Sequence, residues 1–320
     1  MRFATFDSAG HTYGGVVVGP AVHPLADDTT VLDLVGEGLP AALEAGARAV
    51  RNSPEIPLER VRLRPPLQAP TIRDFVAFEE HVEGIRKAID GVAGVPAEWF
   101  ELPTFYFTNP YALIGAADDV EVPPGCGLLD FELEVAAVVG FEGTNLSPKE
   151  AREVVFGYTI LNDWSARDLQ GREMKVGLGP AKGKDFASTL GPWLVTADEF
   201  EDRHDDEGFL PLLMTVDIDG VEVGRDQLSN MGWPFEDLIA YASRGTIVRP
   251  GDVLGSGTCG NGGCLAELWG RAGRREPMPL RPGNVVTMTV EGIGSIRNQV
   301  VAGHNAPDIE PARSRPRNRA

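Results

Sequence analysis

Short runs of alternating apolar and polar residues, separated by Gly, Pro and Asn, dominate the chain, and their period of two predicts β-strands. Runs at 2–7 and 14–19 read as a hairpin, and a short helix is expected near 39–50. Pro54, Pro57, Pro65, Pro66 and Pro70 then suggest a linker. From Thr71 the pattern changes to one helical segment, 74–90, followed by expected strands at 101–108, 130–139, 156–162, 191–195, 212–219, 252–255, 266–270 and 285–291. Asp219-Gly220, lying between two alternating runs, predicts a hairpin of the primed-turn type. Two further short helices are expected at 147–155, where Ser147 precedes Glu150 by three residues, and at 234–242. The expected class is α+β and β-rich. Residues 1–70 read as a small N-terminal β/α domain with its linker, 71–305 as the main domain, and 306–320, with three prolines and four arginines, as a disordered tail.

The most telling run is Asp130-Phe131-Glu132-Leu133-Glu134-Val135-Ala136-Ala137-Val138-Val139-Gly140. On a strand, residues i and i+2 share a face with Cα atoms roughly 6.5 Å apart, so Glu132 and Glu134 are expected side by side. The following Ala-Ala-Val-Val does not alternate, which predicts a strand covered on both faces. Two ionised carboxylates there need a cation or hydrogen bonds. The pattern alone equally allows a half-exposed strand with both glutamates in water. Asp163, in the run Asn162-Asp163-Trp164-Ser165-Ala166-Arg167-Asp168-Leu169-Gln170, is either a third carboxylate ligand or a helix cap. An all-oxygen set of this kind suits Mg²⁺, Mn²⁺ or Ca²⁺. Lys182 and Lys184 follow on a Gly-rich loop that lacks the spacing and the Ser or Thr of a Walker phosphate loop.

Charge narrows the partners. With 29 Lys and Arg against 47 Asp and Glu, the net charge of −18 argues against nucleic acid or an anionic membrane and favours metals and small molecules. No run approaches the roughly 20 apolar residues of a membrane span, and the N-terminus lacks a secretion-signal pattern, so a cytoplasmic location is expected. Cys126, Cys259 and Cys264 form neither a zinc-ligand spacing nor an even disulfide set and read as reduced thiols. Seven acidic residues among the ten at 198–207 read as a solvated loop rather than a site.

Taken in order, Leu128-Leu129-Asp130-Phe131-Glu132-Leu133-Glu134, the Asn162–Gln170 run, Gly183-Lys184-Asp185-Phe186 and Leu254-Gly255-Ser256-Gly257-Thr258 resemble the fumarylacetoacetate hydrolase family over about residues 72–302. The resemblance implies a mixed β-roll or sandwich core, a homodimer, and a divalent cation, Mg²⁺ foremost with Mn²⁺ or Ca²⁺ as alternatives. It implies Asp74, Glu132, Glu134 and Asp163 as metal ligands. His81, seven residues after Asp74, becomes the base that activates water, and Glu267 the carboxylate that orients it. Gln170 and Lys184 match polar groups near the cleaved bond; Tyr106, Arg167 and Thr258 match substrate contacts, and Arg86 matches one only approximately, because the family's arginine lies farther from the histidine.

The short acylpyruvase and oxaloacetate decarboxylase branch of that family carries a glutamate three residues after the histidine and a Lys-Pro pair on the next strand. Here those positions hold Gly84 and Asn109-Pro110, which favours the fumarylacetoacetase-like branch. The implied activity is hydrolysis of a carbon–carbon bond in a 1,3-diketo acid, with a His-activated water and the departing enolate held by the metal. Alternatives are a lyase or isomerase of the same family, such as a decarboxylase or hydratase, and a non-catalytic protein whose carboxylates hold a structural ion.

Overall fold

A computed structural model describes residues 1–315. Strands β1 (Arg2–Ser8) and β2 (His11–Val18) form the expected hairpin, extended by β3 (Ala21–Pro24). Helices α1 (Val31–Glu37) and α2 (Leu39–Asn52) follow. The proline-rich stretch adds β4 (Ile56–Pro57) and β5 (Arg62–Leu63) to the same sheet. Next come β6 (Ile72–Phe75), α3 (Glu79–Asp90), β7 (Phe105–Thr108), β8 (Leu113–Ile114) and β9 (Val120–Glu121). The central part holds β10 (Leu129–Asp130), β11 (Leu133–Val139), α4 (Pro148–Glu153), β12 (Val155–Asp163), β13 (Ser165–Ala166), α5 (Arg167–Met174) and β14 (Ser188–Thr196). The C-terminal part holds β15 (Leu213–Ile218), β16 (Val221–Gln227), α6 (Phe235–Ala242), β17 (Val253–Gly255), α7 (Leu265–Ala272), β18 (Val285–Val290) and β19 (Gly294–Val301).

The architecture is α+β with two principal sheets. One mixed sheet runs β4-β3-β2-β1-β14-β12-β11-β17-β6-β7, with β5 on β1 and β8 on β14; the second runs β16-β15-β18-β19-β9. Because β1 pairs with β14 (Arg2 opposite Val195), the larger sheet continues through the 70/71 boundary. Strand β11 is covered on both faces, as its lack of alternation predicts. Leu133, Val135, Ala137 and Val139 join Met214, Val216, Val286 and Met288 of the second sheet in one core. Ala136 and Val138 join Leu34 and Val35 of α1 in another.

Local signals hold at several points. Asp219 (φ 54°) and Gly220 (φ 80°) both take positive φ in the β15–β16 turn, as a primed hairpin requires. Ser147 and Glu150 form a reciprocal capping box on α4. Two expected elements are corrected. The helix read at 74–90 divides, with Asp74 on β6. The Ile72–Phe75 backbone is hydrogen-bonded to β17 and β7, and α3 begins only after Phe78, where Glu79 and Glu80 complement a helix N-terminus. The strand read at 266–270 lies within helix α7. Its first amides are taken by Asp130 and Cys264, and left-handed Gly273 ends it.

Among the described residues no helix is long and apolar enough to cross a membrane. Residues 302–315 are exposed and carry no regular element; the rest of the expected tail, 316–320, lies outside the described residues.

Candidate active site

Strand β17 is the element that assembles the acids. It pairs antiparallel with β11 (Gly255 opposite Ala136) and parallel with β6 (Gly255 opposite Asp74), while β12 flanks β11 on the other side. One oxygen from each of Asp74, Glu134 and Asp163 therefore lies within 4.8 Å of the others, and all three residues are buried. Gly255 leaves the room for this: a Cβ there would lie 2.5 Å from Asp74 Oδ1 and 2.9 Å from Glu134 Oε2. Tyr106, opposite Asp74 in the β6–β7 register, donates its hydroxyl to Asp163 Oδ2 and to Asp74 Oδ2 (3.2 Å). The Gly257 N–H (3.2 Å) and the Thr258 hydroxyl (3.4 Å) donate to Glu134.

Burial pushes all three carboxyls up. The charge of Asp74 adds to the rise at Glu134, whereas Lys184 opposes it at Asp163. Among the described residues no donor reaches the buried atoms Asp74 Oδ1 and Asp163 Oδ1. Buried acceptors without donors, on hard oxygen ligands gathered at one point, fit a divalent cation.

Glu132 stands outside the trio. Phe131 and Glu132 lie in the break between β10 and β11, where the Glu132 N–H donates to Asn162 Oδ1 (2.9 Å). Its carboxylate turns to Arg167 Nη2 (2.7 Å) and Lys184 Nζ, and Lys184 also reaches Asp163 Oδ2 (2.5 Å). Burial would raise Glu132, but the two cations hold it well below the usual carboxylate range. Burial would likewise depress Lys184, and Asp163 and Glu132 outweigh it to keep the ammonium charged.

His81, on the first turn of α3, presents Nε2 at 3.9 Å from Glu132 Oε1. Burial, against the pull of Glu132, brings its pKa down to about 4, so the ring is neutral at pH 7. Its Nδ1 faces Cys264 Sγ at 3.7 Å.

Asp74, Tyr106, Glu132, Glu134, Asp163, Arg167, Gln170, Lys184, Thr258 and His81 are thus linked by a chain of contacts. Two expected residues stand off. The carboxylate of Glu267 does not reach His81; it pairs with Arg271 Nη2 (2.8 Å) and accepts from the Gly262 N–H (3.4 Å). Its stem lies against α3 at Gly84, where a Cβ would come 2.4 Å from Glu267 Cγ, and burial raises its carboxyl to about 7. Arg86 donates to the Gly94 carbonyl (2.5 Å) and pairs with none of the site carboxylates. Arg167 is taken up by Asp130, Glu132 and the Gln170 side-chain carbonyl (3.1 Å) rather than left open for substrate.

Sequence reasoning missed Cys264, Asp130 and Gly255 as parts of the site. Cys264 had a signal, being three residues before Glu267 at an N-cap position. The other two act through contacts distant in sequence.

A family model described as Fumarylacetoacetate (FAA) hydrolase C-terminal matches residues 71–301. A fumarylacetoacetase of Arabidopsis thaliana is 30% identical over 257 residues, 66% of this chain and 61% of that protein. A mitochondrial oxaloacetate tautomerase of Xenopus laevis is 33% identical over 192 residues, 59% of this chain and 55% of that protein. The chain therefore spans less than two thirds of the length of either relative. Among solved structures, maleylpyruvate hydrolase from Sphingobium sp. SYK-6, in complex with manganese(II) and pyruvate, superposes with a TM-score of 0.68 at 24% identity, covering 95% of this chain and all of that one. With the family model extending over most of its length, the chain belongs to the fumarylacetoacetate hydrolase family, whose members include hydrolases and tautomerases.

Proposed function

We propose that this protein is a divalent-cation-dependent hydrolase that cleaves a carbon–carbon bond of a 1,3-diketo acid of the fumarylacetoacetate or acylpyruvate kind. The observation that carries the reading is the buried trio Asp74, Glu134 and Asp163, with two oxygens that no donor among the described residues reaches, joined through Lys184 and Glu132 to a neutral histidine. These three residues would hold the cation, with Glu132 beside them. Mg²⁺ fits the all-oxygen donor set, and the manganese and pyruvate of the maleylpyruvate hydrolase support a divalent ion near a keto acid. When bound, the ion supplies Lewis-acid polarisation of a carbonyl oxygen.

The chain's own residues account for the proton movements. His81 takes a proton from water at Nε2, and Glu132, facing that nitrogen, favours the imidazolium that results. The hydroxide adds to the distal carbonyl carbon and the carbon–carbon bond breaks. Its electron pair leaves on the α-carbon as an enolate, which His81 then reprotonates, giving a carboxylic acid and a ketone. Lys184 and Gln170 offer hydrogen bonds to the developing negative charge, a contribution of about 3 kcal/mol for one such donor. On this reading residues 71–305 would carry the chemistry and the protein would act as a homodimer.

The test is a screen of 1,3-diketo acids with Mg²⁺ or Mn²⁺, following loss of enol absorbance and identifying the acid released. His81→Ala is expected to lower kcat by about 10²- to 10⁴-fold while leaving Mn²⁺ affinity unchanged. Absence of turnover by the wild type on every diketo acid would sink the reading.

A second reading is favoured by the similarity to the Xenopus tautomerase. A neutral histidine that shares Glu132 with a lysine can move a proton between carbon and oxygen without consuming water. Faster enol–keto interconversion or CO₂ release from oxaloacetate than cleavage of acylpyruvates would establish it.

A further inference from the structure

We infer that Asp130 is a positioning residue that sets the orientation of Glu132 through Arg167, an inference that rests on the reading of the site proposed above. Asp130 is completely buried and collects donors from its neighbour Phe131, from α5 and from α7. Its Oδ1 accepts from the Phe131 N–H (2.8 Å) and the Leu265 N–H (2.8 Å). Its Oδ2 accepts from the Ala266 N–H (3.0 Å) and Arg167 Nε (2.8 Å), with Arg167 Nη2 also at 2.8 Å. The same Nη2 lies 2.7 Å from Glu132 Oε1.

Two of these contacts are explained by local structure. The Leu265 and Ala266 amides are free donors at the start of α7, and a neutral acceptor such as Asn or Ser would serve them. The Arg167 contact requires the charge. A guanidinium is a rigid planar fork, so fixing its Nε edge on Asp130 determines where its remaining nitrogens point. Asp130 thereby fixes the edge that Arg167 offers to Glu132, leaving Glu132 Oε2 to Lys184 and Oε1 within reach of His81. Without that anchor, Glu132 is the one carboxylate among the described residues left to Arg167, which draws it away from both. The arrangement also explains why an arginine that resembles a substrate contact is closed to substrate: its Nε and Nη2 meet Asp130, Nη2 also meets Glu132, and Nη1 donates to Gln170.

The test is a double-variant cycle of Asp130→Asn and Arg167→Gln, read in two ways. At saturating metal, each single variant is expected to lower kcat by about 10- to 100-fold with KM changed by less than about threefold, since neither residue meets substrate and the fault is one of placement. The double variant is expected to lose no more than the worse single one. Independently of activity, Mn²⁺ titration followed by electron paramagnetic resonance is expected to show a several-fold weaker site in Asp130→Asn, because Arg167 then draws Glu132 from Lys184, whose ammonium turns wholly onto Asp163 and competes with the ion for that carboxylate. Arg167→Gln leaves α7 capped, so it reads the same link should Asp130→Asn fail to fold. Losses in kcat that multiply in the double variant, a rise in KM at constant kcat, or wild-type kinetics with wild-type Mn²⁺ affinity in both single variants would each overturn the inference. Lack of wild-type turnover on any diketo acid removes the proposed hydrolase activity alone, and the Mn²⁺ cycle then decides the role of Asp130.

Discussion

Replacing Gly255 by alanine tests whether the carboxylate trio is the cation site. The new methyl group would lie 2.5 Å from Asp74 Oδ1, 2.9 Å from Glu134 Oε2 and 2.9 Å from Leu161 Cδ2. Restoring ordinary contact at about 3.5 Å requires the two carboxylates to retreat by roughly 0.6 to 1 Å. Neither is free to swing, since Asp74 accepts from the Tyr106 hydroxyl and Glu134 from the Gly257 N–H and the Thr258 hydroxyl. Mg²⁺ demands ligand distances of about 2.0 to 2.1 Å in near-octahedral geometry, so a retreat of this size removes a ligand rather than lengthening a bond. The expected loss is about 10- to 100-fold in Mn²⁺ affinity, or about 1.4 to 2.8 kcal/mol. The fold should suffer an overpacking cost of about 1 to 3 kcal/mol, visible as a modest drop in Tm in EDTA. Gly36→Ala, where a Cβ meets nothing within 4 Å, is the control and should leave affinity unchanged. Electron paramagnetic resonance of free Mn²⁺ measures the affinity and circular dichroism the melting. A Gly255→Ala protein that binds Mn²⁺ within about threefold of wild type, well inside the expected loss, would refute the assignment of the trio.

Three further outcomes are expected. Because burial raises Asp74, Glu134 and Asp163, the metal-free site holds protons that a cation must displace, so Mn²⁺ affinity should rise with pH. Calorimetric heats that do not depend on the buffer's ionisation enthalpy would contradict this, and Mn²⁺ at 100 times its Kd should add about 2.7 kcal/mol of stability. Glu267, raised by burial from 4.5 to about 7, contributes stability that is full below pH 4.5 and lost as pH rises through about 7. Glu267→Gln should abolish that slope, worth on the order of 3 kcal/mol, and parallel melting curves for variant and wild type between pH 5 and 8 would argue against it. Arg86→Ala should change kcat and KM by less than about threefold, because its guanidinium serves the Gly94 carbonyl; a loss above about tenfold would return Arg86 to the substrate site.

How much of this was legible depends on how far each signal reaches along the chain. The Asp219-Gly220 turn and the Ser147 cap are local chemistry and stand where their residues predict. The two-faced burial of β11 was legible because Ala136–Val139 carries no polar residue to face water. Helix α7 was not, since Leu265-Ala266-Glu267-Leu268-Trp269 suits either period and part of what tips it, the Asp130 carboxylate, stands 135 residues away from Leu265. Asp74 was merged into the helix after it because β6 is only four residues long and owes its strand form to partners at 105–108 and 253–255. In the site, the residue types that make a cation centre were visible, and the resemblance supplied their roles. The break ahead of β11 that holds Glu132, whose amide donates to the Asn162 side chain, was not visible.

That break divides the charge in the site. Five buried carboxylates, Asp74, Asp130, Glu132, Glu134 and Asp163, face two buried cations, Arg167 and Lys184, a formal excess of three negative charges. An excess of that size does not persist in a low-dielectric interior, so protons or a metal must make it up. The two sides meet the demand differently. Glu132 is satisfied by Arg167 and Lys184 and stays ionised, whereas burial and mutual repulsion push Glu134 and Asp163 toward their neutral forms. A dication arriving at Glu132 would have to displace an arginine and a lysine, each of which is held by a second carboxylate. At the trio it meets Asp74 Oδ1 and Asp163 Oδ1, which no donor among the described residues reaches, and it displaces protons, which are less costly to remove as pH rises. On the proposed reading, the side-chain pairing therefore favours the ion at Asp74, Glu134 and Asp163, and it leaves the ionised Glu132 next to His81, where its carboxylate would support the proton that the histidine gains.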